Sequence, residues 1–180
     1  MAANIGVVDA MRTYGYMLSD GDGVPANKKL AIKYYKMAIK KNDPLAMFFY
    51  ALMLKRGDGT EINYKEAAKL YKKAADMGIN DAMNNYGVLL QSGLGVPIDK
   101  KEAAKFFKMA AENDSTKGMF NYGRMLIYGN GIPENKIEGA YYLKSAADKN
   151  DGNAALLYAQ LLEKGDGIPI NLEEAKKYYQ

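Results

Sequence analysis

The chain has 180 residues, of which 48% are hydrophobic and 26% charged, a composition that excludes a disordered polymer. Twenty-five basic and 21 acidic residues leave a formal net charge of +4, too small and too evenly spread to read as a nucleic-acid footprint. Cys, His and Trp are absent, which removes disulfides, thiolate chemistry and the commonest general base. No apolar run approaches the length of a membrane-spanning helix. Met1 to Gly6 lack the basic start and apolar middle of a signal peptide, so a cytoplasmic compartment is favoured.

Along the chain, Gly21-Asp22-Gly23-Val24-Pro25 returns every 36 residues, giving turns at 21–25, 57–61, 93–97, 129–133 and 165–169. A fixed period of this size marks a repeat array, each copy one supersecondary unit that stacks on its neighbours. Residues 1–180 are therefore expected to form a single array of five copies.

Within a copy, helix A is expected from Asp9 to Asp20. Its recurring residues Ala10, Met11, Tyr14, Gly15 and Leu18 lie at offsets that share one helical face. The small residues on that face let a partner helix approach closely. Gly21 then ends the helix in a left-handed conformation, and Pro25 holds the exit extended. The second copy departs here, with Glu61 in place of Pro.

Helix B is expected to start near Lys28, Tyr64, Lys100, Lys136 and Leu172. Each start is preceded by a capping residue: Asn27, Asn63, Asp99, Asn135 or Asn171. Glu66, Glu102, Glu138 and Glu174 stand three residues past their caps, so four copies predict a reciprocal capping box. Helix B buries Ala31, Tyr34-Tyr35 and Ala38 and their equivalents, and turns Lys29, Lys33, Lys36 and Lys40 outward. It stops at Gly6, Asn42, Gly78, Asp114 or Asn150, all tolerant of a left-handed cap.

The pattern Ala-x-x-x-Tyr-Gly-x-x-Leu-x-x-Gly-x-Gly-Val-Pro, continued by the cap, the Glu-Ala pair, the aromatics and a closing Ala-Ala, resembles the Sel-one-like repeat, a relative of the tetratricopeptide repeat. Ala82 to Ala111 is the clearest copy, with Tyr86-Gly87, Leu90, Gly93, Gly95-Val96, Ala103, Phe107 and Ala110-Ala111. The resemblance implies an all-α fold, a right-handed α-α superhelix or solenoid of five helix-turn-helix repeats, with the A helices lining the concave side. It also implies a scaffold or adaptor that binds a protein or peptide. Some relatives carry a Cys pair in each repeat and are secreted; this chain has none.

In such an array, structure fixes the repeated positions and leaves others to vary. The varying A-helix positions read Arg12, Phe48, Asn84, Phe120, Leu156; then Thr13, Phe49, Asn85, Asn121, Leu157; then Tyr16, Leu52, Val88, Arg124, Gln160; then Asp20, Arg56, Ser92, Tyr128, Lys164. Asn side chains can pair with an extended peptide backbone, and aromatic and Arg side chains supply anchors. The partner-binding candidates are therefore Arg12, Tyr16, Phe48, Asn84, Asn85, Phe120, Asn121 and Arg124. The competing reading packs the phenylalanines between repeats and leaves the asparagines solvated or bonded within their helix.

The helix B lysines alternate with Glu and read as a solvated outer face rather than an acidic-partner patch. The Gly-x-Gly turns follow helices and lack a Lys-Ser/Thr continuation, so they are not phosphate loops. No triad or carboxylate cluster is visible. The expectation is no catalysis, no cofactor and no metal, and no nucleic-acid or membrane partner.

Met1 to Asn4 are in phase with Met109 to Glu112, the tail of a B helix, and Tyr178 to Gln180 stop partway along another. Neither end carries a polar capping helix. The chain is then either a piece of a longer array or a self-associating segment that stacks head to tail. The latter is the alternative to the scaffold reading.

Overall fold

A computed structural model describes residues 2–180, with side chains from Gly6 onward. Ten helices run in order: α1 (Ala2–Asp20), α2 (Lys28–Ile39), α3 (Pro44–Arg56), α4 (Tyr64–Asp76), α5 (Asn80–Ser92), α6 (Lys100–Glu112), α7 (Thr116–Tyr128), α8 (Lys136–Ala147), α9 (Gly152–Lys164) and α10 (Leu172–Tyr178). Odd-numbered helices are A and even-numbered helices are B. No strand occurs among the described residues, so the expected all-α repeat class holds. The chain forms two compact units: Met1–Leu89 with Gly93–Pro97, and Leu90–Ser92 with Ile98–Gln180. In the first, α1 packs on α2, α2 on α3, and α3 on α4. In the second, α6 packs on α7, and each helix up to α10 on the next.

Every B helix starts where its cap predicts. The side chains of Asn27, Asn63, Asp99, Asn135 and Asn171 accept from the backbone N–H three residues on. The reciprocal half of the capping box is not made. The cap's own N–H instead donates back to helix A, to the carbonyls of Leu18, Leu54, Leu90, Leu126 and Leu162 at 2.7–3.0 Å. This bond closes the corner between the two helices of a hairpin, and it frees the glutamates. Glu66 and Glu102 pair with Lys69 and Lys105, and Glu138 and Glu174 accept from the amides of Asn135 and Asn171.

Three A helices, α3, α7 and α9, also carry a side-chain cap, while Ile79 ahead of α5 supplies none. Asp43, Ser115 and Asp151 accept from the N–H groups of Ala46, Gly118 and Ala154. The first copy has Val7 at this position and Val8 where Pro44 opens α3. α1 runs unbroken through Gly6, whereas Gly78, also followed by a residue without a cap oxygen, Ile79, turns left-handed and separates α4 from α5. This corrects two expectations: a helix stop at Gly6, and a separate B-helix tail over the first residues. Met1 itself lies outside the described residues. The other stops hold, with Asn42, Gly78, Asp114 and Asn150 all at positive φ.

The core follows the recurring positions. Tyr35, Tyr71, Phe107 and Leu143, the second of the pair on the first four B helices, are fully buried, while Tyr179 of the fifth pair is exposed, against expectation. The A-helix Tyr50, Tyr86, Tyr122 and Tyr158 are buried, while Tyr14 on α1 is 37% exposed. The small residues of the A face are sterically required: a Cβ on Gly118 would sit 2.7 Å from the backbone nitrogen of Ala111.

The second glycine of each corner makes the tightest contact between repeats. A Cβ on Gly59 or Gly131 would fall 2.5 or 2.4 Å from the Cβ of Lys28 or Lys100, at the start of the previous B helix. On Gly95 it would fall 2.2 Å from the carbonyl carbon of Tyr64. At Gly23 the nearest atom is the flexible end of Met17, at 3.5 Å, so only the positive φ of 70° demands glycine there. Gly23→Ala should therefore cost about 1–2 kcal/mol, the left-handed penalty alone. Gly95→Ala adds overpacking against backbone and should cost about 2–5 kcal/mol. Urea denaturation of the two variants checks this; equal losses would contradict the seating of the corner on the previous helix.

Candidate protein-binding surface

The third and fourth varying positions of helix A are one turn apart, so each copy presents them as a pair. In the first unit Tyr16 and Asp20 of α1 face Leu52 and Arg56 of α3 across a cavity of about 300 Å³. Its wall is aromatic. Phe49 stacks on Tyr35 with ring centroids 5.8 Å apart, and Tyr16 leans on Phe49 at 5.7 Å. Lys28 and Asp58 close one rim with a 2.6 Å ion pair between consecutive repeats. A hydrogen bond to Asp20 raises the Tyr16 hydroxyl pKa above its ordinary value, with the Asp20 charge adding to it. Arg56 is exposed and makes no ion pair or hydrogen bond among the described residues. The cavity thus offers an apolar floor, a carboxylate and an uncommitted guanidinium.

Of the eight candidates, Tyr16 lines this cavity. Arg12 donates to Asp43 at 2.6 Å and to Asp9 at 2.8 Å, and the other Asp43 oxygen caps α3. Arg12 therefore clamps consecutive A helices. Phe48 is half-buried, with its centroid 6.0 Å from that of Tyr71. Asn84 is 6% exposed. Asn85 donates to the Asp81 carbonyl and accepts from Lys55. In the second unit Phe120 packs on the core, with the Arg124 guanidinium 5.3 Å above its ring, and Asn121 is half-buried. Asp20, Leu52 and Arg56 were missed as site residues. The signal that could have found them is the four-residue spacing of the third and fourth varying positions.

The outer face of the second unit departs from the lysine pattern. Ile137 and Tyr141 of α8 stand where other copies carry lysines, and they are 72% and 66% exposed. With Ile170 they line a depression of about 400 Å³. Beside it Lys144 donates to Glu174 at 3.0 Å and to the Tyr178 hydroxyl at 2.7 Å, over the Tyr158 ring. Among the described residues, no cluster of three acidic side chains could hold a metal ion. Nor is any described helix long and apolar enough to cross a membrane.

Five helix pairs, each closed by a glycine corner, define an all-α helical-repeat protein of the solenoid class. The Sel1 repeat family model matches residues 8–43, 44–79, 80–115, 116–151 and 152–180, and the chain belongs to that family. Its members are generally protein-interaction scaffolds. Among solved structures it is similar to a Sel1 repeat protein from Oxalobacter formigenes, with 30% identity over 96% of this chain and 71% of that one, at a TM-score of 0.89. It is also similar to a protective antigen of uropathogenic Escherichia coli with an SLR fold, with 25% identity and a TM-score of 0.91. That match covers 98% of this chain and 38% of the antigen's length. No curated protein matches the chain.

The buried tyrosines make the fold sensitive to alkali. Burial, reinforced by the nearby Glu138 carboxylate, pushes the Tyr122 hydroxyl up to about 12, and burial raises Tyr35 and Tyr71 as well. In the unfolded chain they ionise near 10. The stability that these neutral hydroxyls contribute is fully present below about pH 10 and is lost as pH rises through the folded values. Ultraviolet difference titration should show Tyr35, Tyr71 and Tyr122 ionising above the ordinary tyrosine range, in one step with loss of helical circular dichroism. Titration of every tyrosine near pH 10 with the helices intact would contradict the burial.

Proposed function

We propose that this chain is a non-catalytic interaction scaffold that takes a peptide or protein partner on its A-helix face, with the cavity of Tyr16, Asp20, Leu52 and Arg56 as the principal seat. The observation that carries this reading is the meeting of varying positions from consecutive repeats at one cavity with an unpaired guanidinium on its rim. An Arg fork reads a carboxylate or peptide carbonyls in two-point fashion, and the aromatic wall accepts an apolar side chain. Within the first unit, Phe48 and Asn85 supply further contacts; Phe120, Asn121 and Arg124 are the corresponding candidates of the second unit. Arg12 and Asn84 support the helices that present them.

Head-to-tail stacking is not favoured. Two of the four junctions between repeats carry an ion pair, Lys28–Asp58 and Lys136–Asp166, each at 2.6 Å, and the two middle ones, with Tyr64 and Leu94 or Lys100 and Asn130, do not. The equivalents at the two ends are Asp22 and Leu172, which have no such complementarity.

Panning a random peptide library on the full chain tests the seat. Selected peptides should bind a Tyr16→Ala/Arg56→Ala variant roughly tenfold or more weakly, because Tyr and Arg dominate contact energies. Circular dichroism should be unchanged, since both side chains are exposed. Peptides that bind both proteins alike would place the partner elsewhere.

A further inference from the structure

Helices α4 and α6 each pair two of their lysines with acids of the same helix, and α8 pairs both of its lysines with the next repeat. Lys69 pairs with Glu66 and Lys72 with Asp76; Lys105 pairs with Glu102 and Lys108 with Glu112. Lys136 and Lys144 reach Asp166 and Glu174 of the next repeat. Helix α2 lacks both of the acidic positions that serve this purpose. Leu30 stands where the other copies have Glu66, Glu102, Glu138 and Glu174, and Lys40 stands where they have Asp76, Glu112 and Asp148. Residues 28–41 hold six lysines and no acid, more charge than the formal net +4 of the whole chain. The positive charge is therefore concentrated, not evenly spread.

This arrangement works against the helix. No acid lies in the first turn of α2; Lys28 is offset by Asp58 of the next repeat, and Lys29 meets the positive end of the helix dipole without an ion pair. Lys29 repels Lys33, and Lys36 repels Lys40, at four-residue spacing. The sisters keep the first of these pairs, as Lys65/Lys69 and Lys101/Lys105, but none of them gives up both acids, and that local choice points to a use.

Lys29, Lys33, Lys36 and Lys40 lie at i, i+4, i+7 and i+11, a single stripe about 16 Å long. They rim a shallow depression of about 460 Å³ floored by Ile32 and Met37, the latter 38% exposed. Lys36 sits 5.2 Å above the Tyr50 ring. Lys29, Lys33 and Lys40 make no ion pair among the described residues. Apart from α2 itself, the stripe shares no residue with the A-helix cavity.

We propose that the α2 stripe is a second docking surface, for an acidic segment of a protein partner that lays carboxylates along the lysines and one apolar side chain on Met37. Complementary charge of this kind steers encounter and makes binding salt-dependent. The stripe has no arginine for base edges and no aromatic for base stacking, and its apolar floor has no use for a phosphate backbone.

The test uses the full chain and a fluorescein-labelled helical peptide with glutamates at i, i+4, i+7 and i+11 and one leucine between them. Anisotropy should show binding that weakens with added salt. Lys29→Glu/Lys33→Glu/Lys40→Glu should weaken it roughly tenfold or more. The milder triple Gln variant, with helicity confirmed, should give a smaller loss in the same direction. Lys101→Glu/Lys105→Glu on α6 should leave binding intact, and so should Tyr16→Ala/Arg56→Ala, which separates this surface from the A-helix seat. The proposal is overturned if the peptide fails to bind at low salt, or if a peptide with Gln in place of Glu binds equally. Equal loss from the α6 reversal, or tighter lysine-dependent binding of a duplex DNA probe, would overturn it as well.

Discussion

At the second glycine of the corner, four copies have no room for a Cβ. Gly59, Gly95, Gly131 and Gly167 each press against the first residue of the preceding B helix, where an added carbon would fall 2.2–2.5 Å from an existing atom. That contact fixes how one hairpin sits on the next, and it explains why the spacing never drifts from 36 residues. A longer or shorter corner would lift the glycine off its seat. The ion pairs Lys28–Asp58 and Lys136–Asp166 stand beside the seat at 2.6 Å, and their worth as partly exposed pairs is a fraction of what the packing contributes. Within the corner, the cap N–H bonded to a Leu carbonyl of helix A holds the hairpin shut.

Periodicity makes equivalence legible, and equivalence is enough to place most elements. Every B-helix start and the Asn42, Gly78, Asp114 and Asn150 stops follow from residue types at fixed offsets. What periodicity does not show is who faces whom across copies. Arg12 reads as a varying groove residue, yet its partner Asp43 lies 31 residues on, hidden as the cap of the next A helix. The Asn-x-x-Glu spacing reads as a reciprocal box, yet the backbone donor it requires is already taken by Leu54 or its equivalents. Gly6 reads as a stop by phase alone, yet α1 runs through it, while Gly78 at the same phase turns left-handed ahead of Ile79, which has no cap oxygen either.

The candidate seat was half legible for the same reason. Tyr16 could be singled out as a varying aromatic, but Asp20, Leu52 and Arg56 join it only because consecutive A helices bring the same two positions together. A scaffold built this way separates its tasks. Recurring Ala, Gly, Leu and aromatic positions hold the hairpins, and varying positions on the same helices differ from copy to copy. Helix α2 carries the separation furthest, since its outer face gives up the acids that stabilise its sisters.

The claim beneath all of this is that each corner is closed by a backbone bond reaching from the B-helix cap to helix A. Residue-resolved hydrogen exchange on the full chain measures it directly. The amides of Asn63, Asp99 and Asn135 should be protected to a degree approaching that of the helix interiors, although each lies outside a helix. Exchange of these amides at the rate of open loops, with the flanking helices still protected, would contradict the account.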